Sequence, residues 1–86
     1  MATIVGTVNT GFQAQDGTRI EGIVIHVTER IDPKRGEGVS TDRFFLSKKK
    51  VDELGFRIEV GIDVEILFNR YGKVATLRRI DDLLID

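Results

Sequence analysis

The chain has 86 residues and 9.7 kDa, with 13 Lys+Arg against 14 Asp+Glu, one His, and neither Cys nor Trp. A chain of this mass exposes about 5,100 Å² folded against about 14,000 Å² unfolded, which allows one modest core and no second domain. Without cysteine there is no disulfide scaffold, thiolate metal site or cysteine nucleophile, and 41% hydrophobic with 31% charged residues marks a folded globular domain rather than a disordered one. No apolar run reaches the length of a membrane span, and Met1–Gly6 lacks the basic-then-apolar order of a signal peptide. A cytoplasmic protein with no membrane partner is expected.

Asp16-Gly17 is the strongest turn signal, expected as a type I′ hairpin turn joining strands over Thr3–Ala14 and Thr18–Ile31. In the second strand Ile23, Ile25 and Val27 alternate on one side, with Ile20, Val24 and His26 on the other. A strand apolar on both sides suits a strongly bent sheet. Pro33, Gly36 and Gly38 then break the pattern. A third strand is expected at Ser40–Leu46, with Phe44 and Leu46 on one side and Arg43 and Phe45 on the other.

Ser47 is a natural N-cap for a short helix over Lys48–Leu54, and Gly55 suits its C-terminal end. Three lysines in the first turn oppose the helix dipole, so packing must hold this helix. Ile62, Val64, Ile66 and Phe68 face one way in a fourth strand, while Asp63, Glu65 and Asn69 face the other. Asn69–Lys73 reads as a turn, and Val74–Ile80 as a fifth strand. Phe44, Phe56 and Phe68 are assigned to the core.

Five strands with a helix between the third and fourth predict an all-β, five-stranded OB-like barrel over residues 1–80, with an SH3-like barrel as the rival. Closure would hide the sheet edges. The segment Gly55–Lys73 (GFRIEVGIDVEILFNRYGK), the chain length, the N-terminal hairpin and the aromatic-Gly tip of the last hairpin resemble those of small OB-fold single-stranded nucleic-acid-binding proteins of the filamentous-phage type. The resemblance implies a dimer that coats single strands cooperatively, with a two-stranded loop carrying aromatic and basic residues. Tyr71-Gly72 takes the family's aromatic-Gly place, although the chain has one tyrosine where the family stacks several.

Charge is balanced overall, at net −1, but unevenly placed. Residues 1–29 carry net −2, residues 30–50 net +4, residues 51–80 net 0 and residues 81–86 net −3. An acidic pI of about 5.8 counts against nucleic acid, whereas the placement of the bases counts for it. A single strand offers phosphates and unpaired ring faces, so its binder needs spaced cations and exposed aromatics. The candidates are Phe12 and Arg19 beside the first hairpin turn and Arg30, Lys34 and Arg35 around the loop after strand 2. Arg43 and Phe45 lie on strand 3, and Arg70, Tyr71 and Lys73 in the last turn.

Bland readings compete with these. Phe12 and Phe45 read more readily as core, because phenylalanine is usually buried. Tyr71 reads equally as a half-buried rim residue. Lys48-Lys49-Lys50 reads as a solvated face, and Lys34–Gly38 as a weak candidate for an anion-binding loop of backbone amides. His26 reads as a satisfied barrel histidine rather than a general base.

No catalytic motif or metal-ligand spacing occurs, so a non-enzyme with no cofactor is expected. Asp81, Asp82, Leu83, Leu84, Ile85 and Asp86 form an acidic–apolar tail, suited to packing, dimerisation or a protein partner. It is similar in composition to the partner-recruiting tips of bacterial single-stranded-DNA-binding proteins. The expected function is sequence-tolerant binding of single-stranded DNA by a homodimer, with RNA as an open alternative. The competing class is a non-catalytic structural or protein-interaction module using a barrel edge or the tail.

Overall fold

Period-two alternation of apolar residues builds three long strands in the first half of the chain. The computed structural model describes residues 1–80. In it β1 (Ala2–Gln13), β2 (Arg19–Arg30) and β3 (Val39–Ser47) precede one short helix, α1 (Lys48–Asp52), and then β4 (Asp63–Phe68) and β5 (Val74–Arg79). All five strands form one antiparallel sheet in the order β3-β2-β1-β4-β5. The strand bounds follow the sequence pattern closely, while α1 stops short of Leu54. Its N-cap is Ser47, whose hydroxyl accepts from the Lys50 N–H at 3.4 Å.

The sheet does not close into a barrel. Closure needs β3 and β5 to pair, and both remain edges of the sheet. β1 pairs with β2 from Thr3 to Gln13 but offers only Ala2 and Thr3 to β4 in the register. The β1–β2 hairpin therefore runs on as an arm past the short β4–β5 pair. The chain exposes 6686 Å², more than the compact value of about 5,100 Å², in keeping with an open sheet.

The core is small and sits where the base of the arm meets β4 and β5. Ala2, Ile4, Ile25, Val27, Leu46, Val64 and Leu77 are buried, and Phe44, Phe56, Val51 and Leu54 pack against them half-buried. Phe68 departs from its expected place. It is 61% exposed, because it lies beyond an irregularity at Leu67/Phe68, at the end of β4 that the missing seam would have covered.

The first turn also differs from expectation. Asp16 does not take positive φ; only Gly17 does, at 87°. The Gly17 N–H donates to the Ala14 carbonyl at 2.9 Å, and the Ala14 N–H to the Thr18 carbonyl at 2.7 Å. This is a three-residue loop with glycine in the left-handed position, rather than a two-residue type I′ turn. The Asp16 carboxylate accepts from the Thr18 N–H at 2.9 Å, and this backbone hydrogen bond, then the Thr18 side chain, holds its pKa below the ordinary carboxylate value.

Candidate nucleic-acid interface

Directly opposed residues of antiparallel strands project to the same face. Ile23, Ile25 and Val27 of β2 face the core side, so their neighbours Ile20, Gly22, Val24, His26, Thr28 and Arg30 face outward. Register adds Val8 and Phe45 beside Val24, Gly6 and Arg43 beside His26, and Phe12 beside Ile20. An irregularity between Ile4 and Gly6 makes this possible. The extra residue, Val5, shifts the phase of β1, so that Phe12 falls outward although Ala2 and Ile4 fall inward.

Phe12 and Phe45 are therefore surface aromatics, against the core reading. Phe12 is 49% exposed, and its ring meets that of Phe45 edge-on at 5.6 Å between centroids and 62° between planes. The Phe45 ring lies on Gly22: a Cβ there would stand 2.6 Å from Phe45 Cζ and 2.2 Å from the Leu46 carbonyl oxygen. A missing side chain on β2 is thus the seat of a ring from β3.

The charges of β1–β3 are sorted by face. Arg30 and Arg43 point outward with the rings, whereas Glu21, Glu29 and Asp42 alternate to the core side. No carboxylate from these three strands shares the outer face. The first one beyond β1 is Asp63 on β4, which accepts a hydrogen bond from the Thr3 hydroxyl. Among the described residues the Arg30 and Arg43 guanidinium groups make no ion pair or hydrogen bond.

Arg19 is not part of this face. It sits with Glu21 on the core side, its Nε 3.4 Å from Glu21 Oε1, and lines a cleft of about 700 Å³ between the arm and α1 with Lys48 and Asp52. Alternation along β2 already separates Arg19 from Ile20 and Arg30. The Lys48–Lys50 cluster is exposed, and Lys50 Nζ donates to the Val74 carbonyl at 3.3 Å, tying α1 to β5.

The remaining candidates project from the end of the sheet opposite the arm tip. In the loop after β2, Asp32 uses up the local amides. Its carboxylate accepts from the Lys34 N–H at 2.9 Å, and its carbonyl from those of Arg35 and Gly36 at 2.8 and 3.1 Å. Three amides of the loop are thus taken by Asp32, and Lys34 and Arg35 are presented to solvent. In the β4–β5 turn the Asn69 side chain accepts from the Tyr71 and Lys73 N–H groups at 2.8 and 3.1 Å. Gly72 supplies φ 77°. Tyr71 is 75% exposed, which removes the half-buried reading, and the Arg70 guanidinium carbon stands 5.4 Å from its ring centroid.

His26 also departs from its expected place. It is half-buried on the outer face, beside Arg43, and its imidazole makes no hydrogen bond among the described residues. The alternation of β2 placed it opposite Ile25 and Val27; only the β2–β3 register brings Arg43 to its side. Residues Asp81–Asp86, read as a docking tail, lie outside the described residues.

Comparisons with protein-family models, with curated proteins and with solved structures gave no match. No helix among the described residues is long and apolar enough to cross a membrane. What the site can do chemically follows from its parts. Ring faces on a sheet can stack unpaired bases, at about 1–3 kcal/mol for each base, and unpaired guanidinium groups can take phosphate oxygens.

Proposed function

We propose that this chain is a non-catalytic binder of single-stranded nucleic acid, sequence-tolerant, that lays the strand across the outer face of β1–β3. The observation that carries the reading is the exposed Phe12 ring against half-buried Phe45, on a face to which β1–β3 add no carboxylate and which carries Arg43 and Arg30, whose guanidinium groups are unpaired among the described residues. From Ile20 to Arg30 the face spans about 33 Å at 3.3 Å per residue, room for several nucleotides. Lys34, Arg35, Arg70, Tyr71 and Lys73 continue the track at the far end.

The strand order and the helix before β4 suit an OB-like layout with its β3–β5 seam open, and OB-folds bind strands on their β2–β3 face. Segregation of the charges reconciles the role with an acidic total: the carboxylates of β2 and β3 lie on the other side. The test is fluorescence anisotropy of labelled oligo-dT titrated with the protein at two salt concentrations. Binding that weakens steeply with salt supports the reading; an affinity that ignores salt, or no binding, refutes it.

A second reading is favoured by the exposed Val5, Val8 and Phe12 of β1, at 50%, 51% and 49%, and by the β3 edge, which no strand pairs among the described residues. A protein partner, including a second copy in a homodimer, could add a strand there. Concentration-dependent dimerisation with no affinity for oligo-dT would select it.

A further inference from the structure

We infer that His26 and Arg43 form a pH-sensitive seat for one phosphate group, occupied with a higher affinity when the imidazole is protonated. The two are direct cross-strand neighbours on the outer face, where side chains stand about 4.5–5.5 Å apart at Cβ. Both are free of protein partners among the described residues. On the other side of His26 the β1 residue is Gly6, where a Cβ would stand 3.6 Å from His26 Cβ. The imidazole lies over Gly6, its Cδ2 and Cγ 3.8 and 3.9 Å from that position, so no β1 side chain stands opposite it.

Charged and titratable groups around the imidazole are few. β3 contributes Arg43, flanked on that face by Thr41 and Phe45. β1 contributes Gly6, with Val8 and Thr3 as flanking residues, and none of these titrates. Along β2 the neighbours are Val24 and Thr28, with Arg30 four residues on. No carboxylate of β1–β3 shares that face; the acids carried by the elements next to it are Asp63 of β4, which accepts from the Thr3 hydroxyl, and exposed Glu59, in the segment whose Gly61 and Ile62 bond to Ile4. A phosphate seated between the two side chains accepts from the imidazolium and from the guanidinium. Binding the anion and binding the proton are therefore coupled, and each raises the affinity for the other.

Imidazole changes charge between about pH 5 and 8, so the coupling falls in a physiological window. One added cationic contact to a single strand is worth about five-fold in affinity near 0.1 M salt, from a slope of about −0.7 per contact. The inference takes its phosphate source, a nucleic-acid backbone, from the function proposed above, but the seat can be probed separately.

His26 is the chain's one histidine, so its ring signals report the titration directly by NMR. The ring's midpoint is measured on the full chain at constant ionic strength, alone, with inorganic phosphate and with oligo-dT, whose bases do not titrate here. A midpoint raised by either ligand supports the seat, and a midpoint raised by phosphate without any binding of oligo-dT keeps the seat while refuting the nucleic-acid role. A midpoint unmoved by both overturns the seat, even where oligo-dT binds. Where oligo-dT binds, affinity rises about five-fold from about pH 7.5 to about pH 5.5 at low salt, and His26→Gln abolishes the rise. An equal rise in His26→Gln overturns the assignment.

Discussion

Replacing Arg43 by Gln isolates the electrostatic part of the proposed binding. The guanidinium makes no ion pair or hydrogen bond among the described residues and is exposed, so stability should stay within about 0.5 kcal/mol of wild type. Arg30 and Arg43 lie on the face itself, and Lys34, Arg35, Arg70 and Lys73 are exposed at one end of the sheet. Between two and six phosphate contacts imply a slope of log K against log salt of about −1.4 to −4.2. Loss of Arg43 should make that slope shallower by about 0.7, which corresponds to about five-fold weaker binding near 0.1 M salt and almost none near 1 M. The assay is oligo-dT anisotropy at four or more salt concentrations, with urea unfolding as the check on stability. Arg19→Gln is the internal control, because Arg19 lies on the opposite face beside Glu21 and its loss should leave the slope unchanged. Equal effects of the two substitutions, or a deficit in Arg43→Gln that persists at high salt, would refute the placement of the strand on the outer face.

Three further outcomes follow from particular contacts. Tyr71→Ala, at a ring 75% exposed, should leave the urea midpoint unchanged but weaken oligo-dT binding by about 1–3 kcal/mol if a base stacks there; unaltered affinity would take the turn out of the site. Gly22→Ala puts a methyl group 2.2 Å from the Leu46 carbonyl oxygen, so it should destabilise the fold by about 1–3 kcal/mol in urea unfolding and displace the Phe45 ring from Phe12. Stability at wild-type level would show that β2 and β3 separate there without penalty. Asp16, whose pKa is lowered by the Thr18 hydrogen bonds, adds stability that is present above the unfolded carboxylate value and lost as pH falls through its folded value. Asp16→Ala should therefore be less stable than wild type at neutral pH, with the difference vanishing in acid; a difference that persists at low pH would contradict this account.

Much of the outline was legible from local chemistry. Alternation at Ile23, Ile25 and Val27, at Phe44 and Leu46, and at Val64 and Ile66 located the strands and assigned their faces, since side-chain direction in a strand is a property of position parity. Ser47 announced the helix start, and Asn69 with Gly72 the last turn. The exposed cations of both loops were legible too, because each follows a turn-forming Asp or Asn.

Other features needed distances between segments far apart in the chain. Parity alone puts Phe12 on the same face as Ile4; the extra residue at Val5 reverses it, and a bulge is decided by pairing with a second strand. Whether Phe68 is buried depends on a seam between β3 and β5, which no run of residues encodes. The mutual positions of His26 and Arg43, or of Gly22 and Phe45, come from a register that joins β2 to β3 across an intervening loop. Which residues alternate, where the chain turns and how its charges are apportioned can be read along the backbone, because each depends on neighbours in the chain. Which rings and cations share a face depends on how the strands pair, because a single residue of slip between strands moves every side chain to the other side.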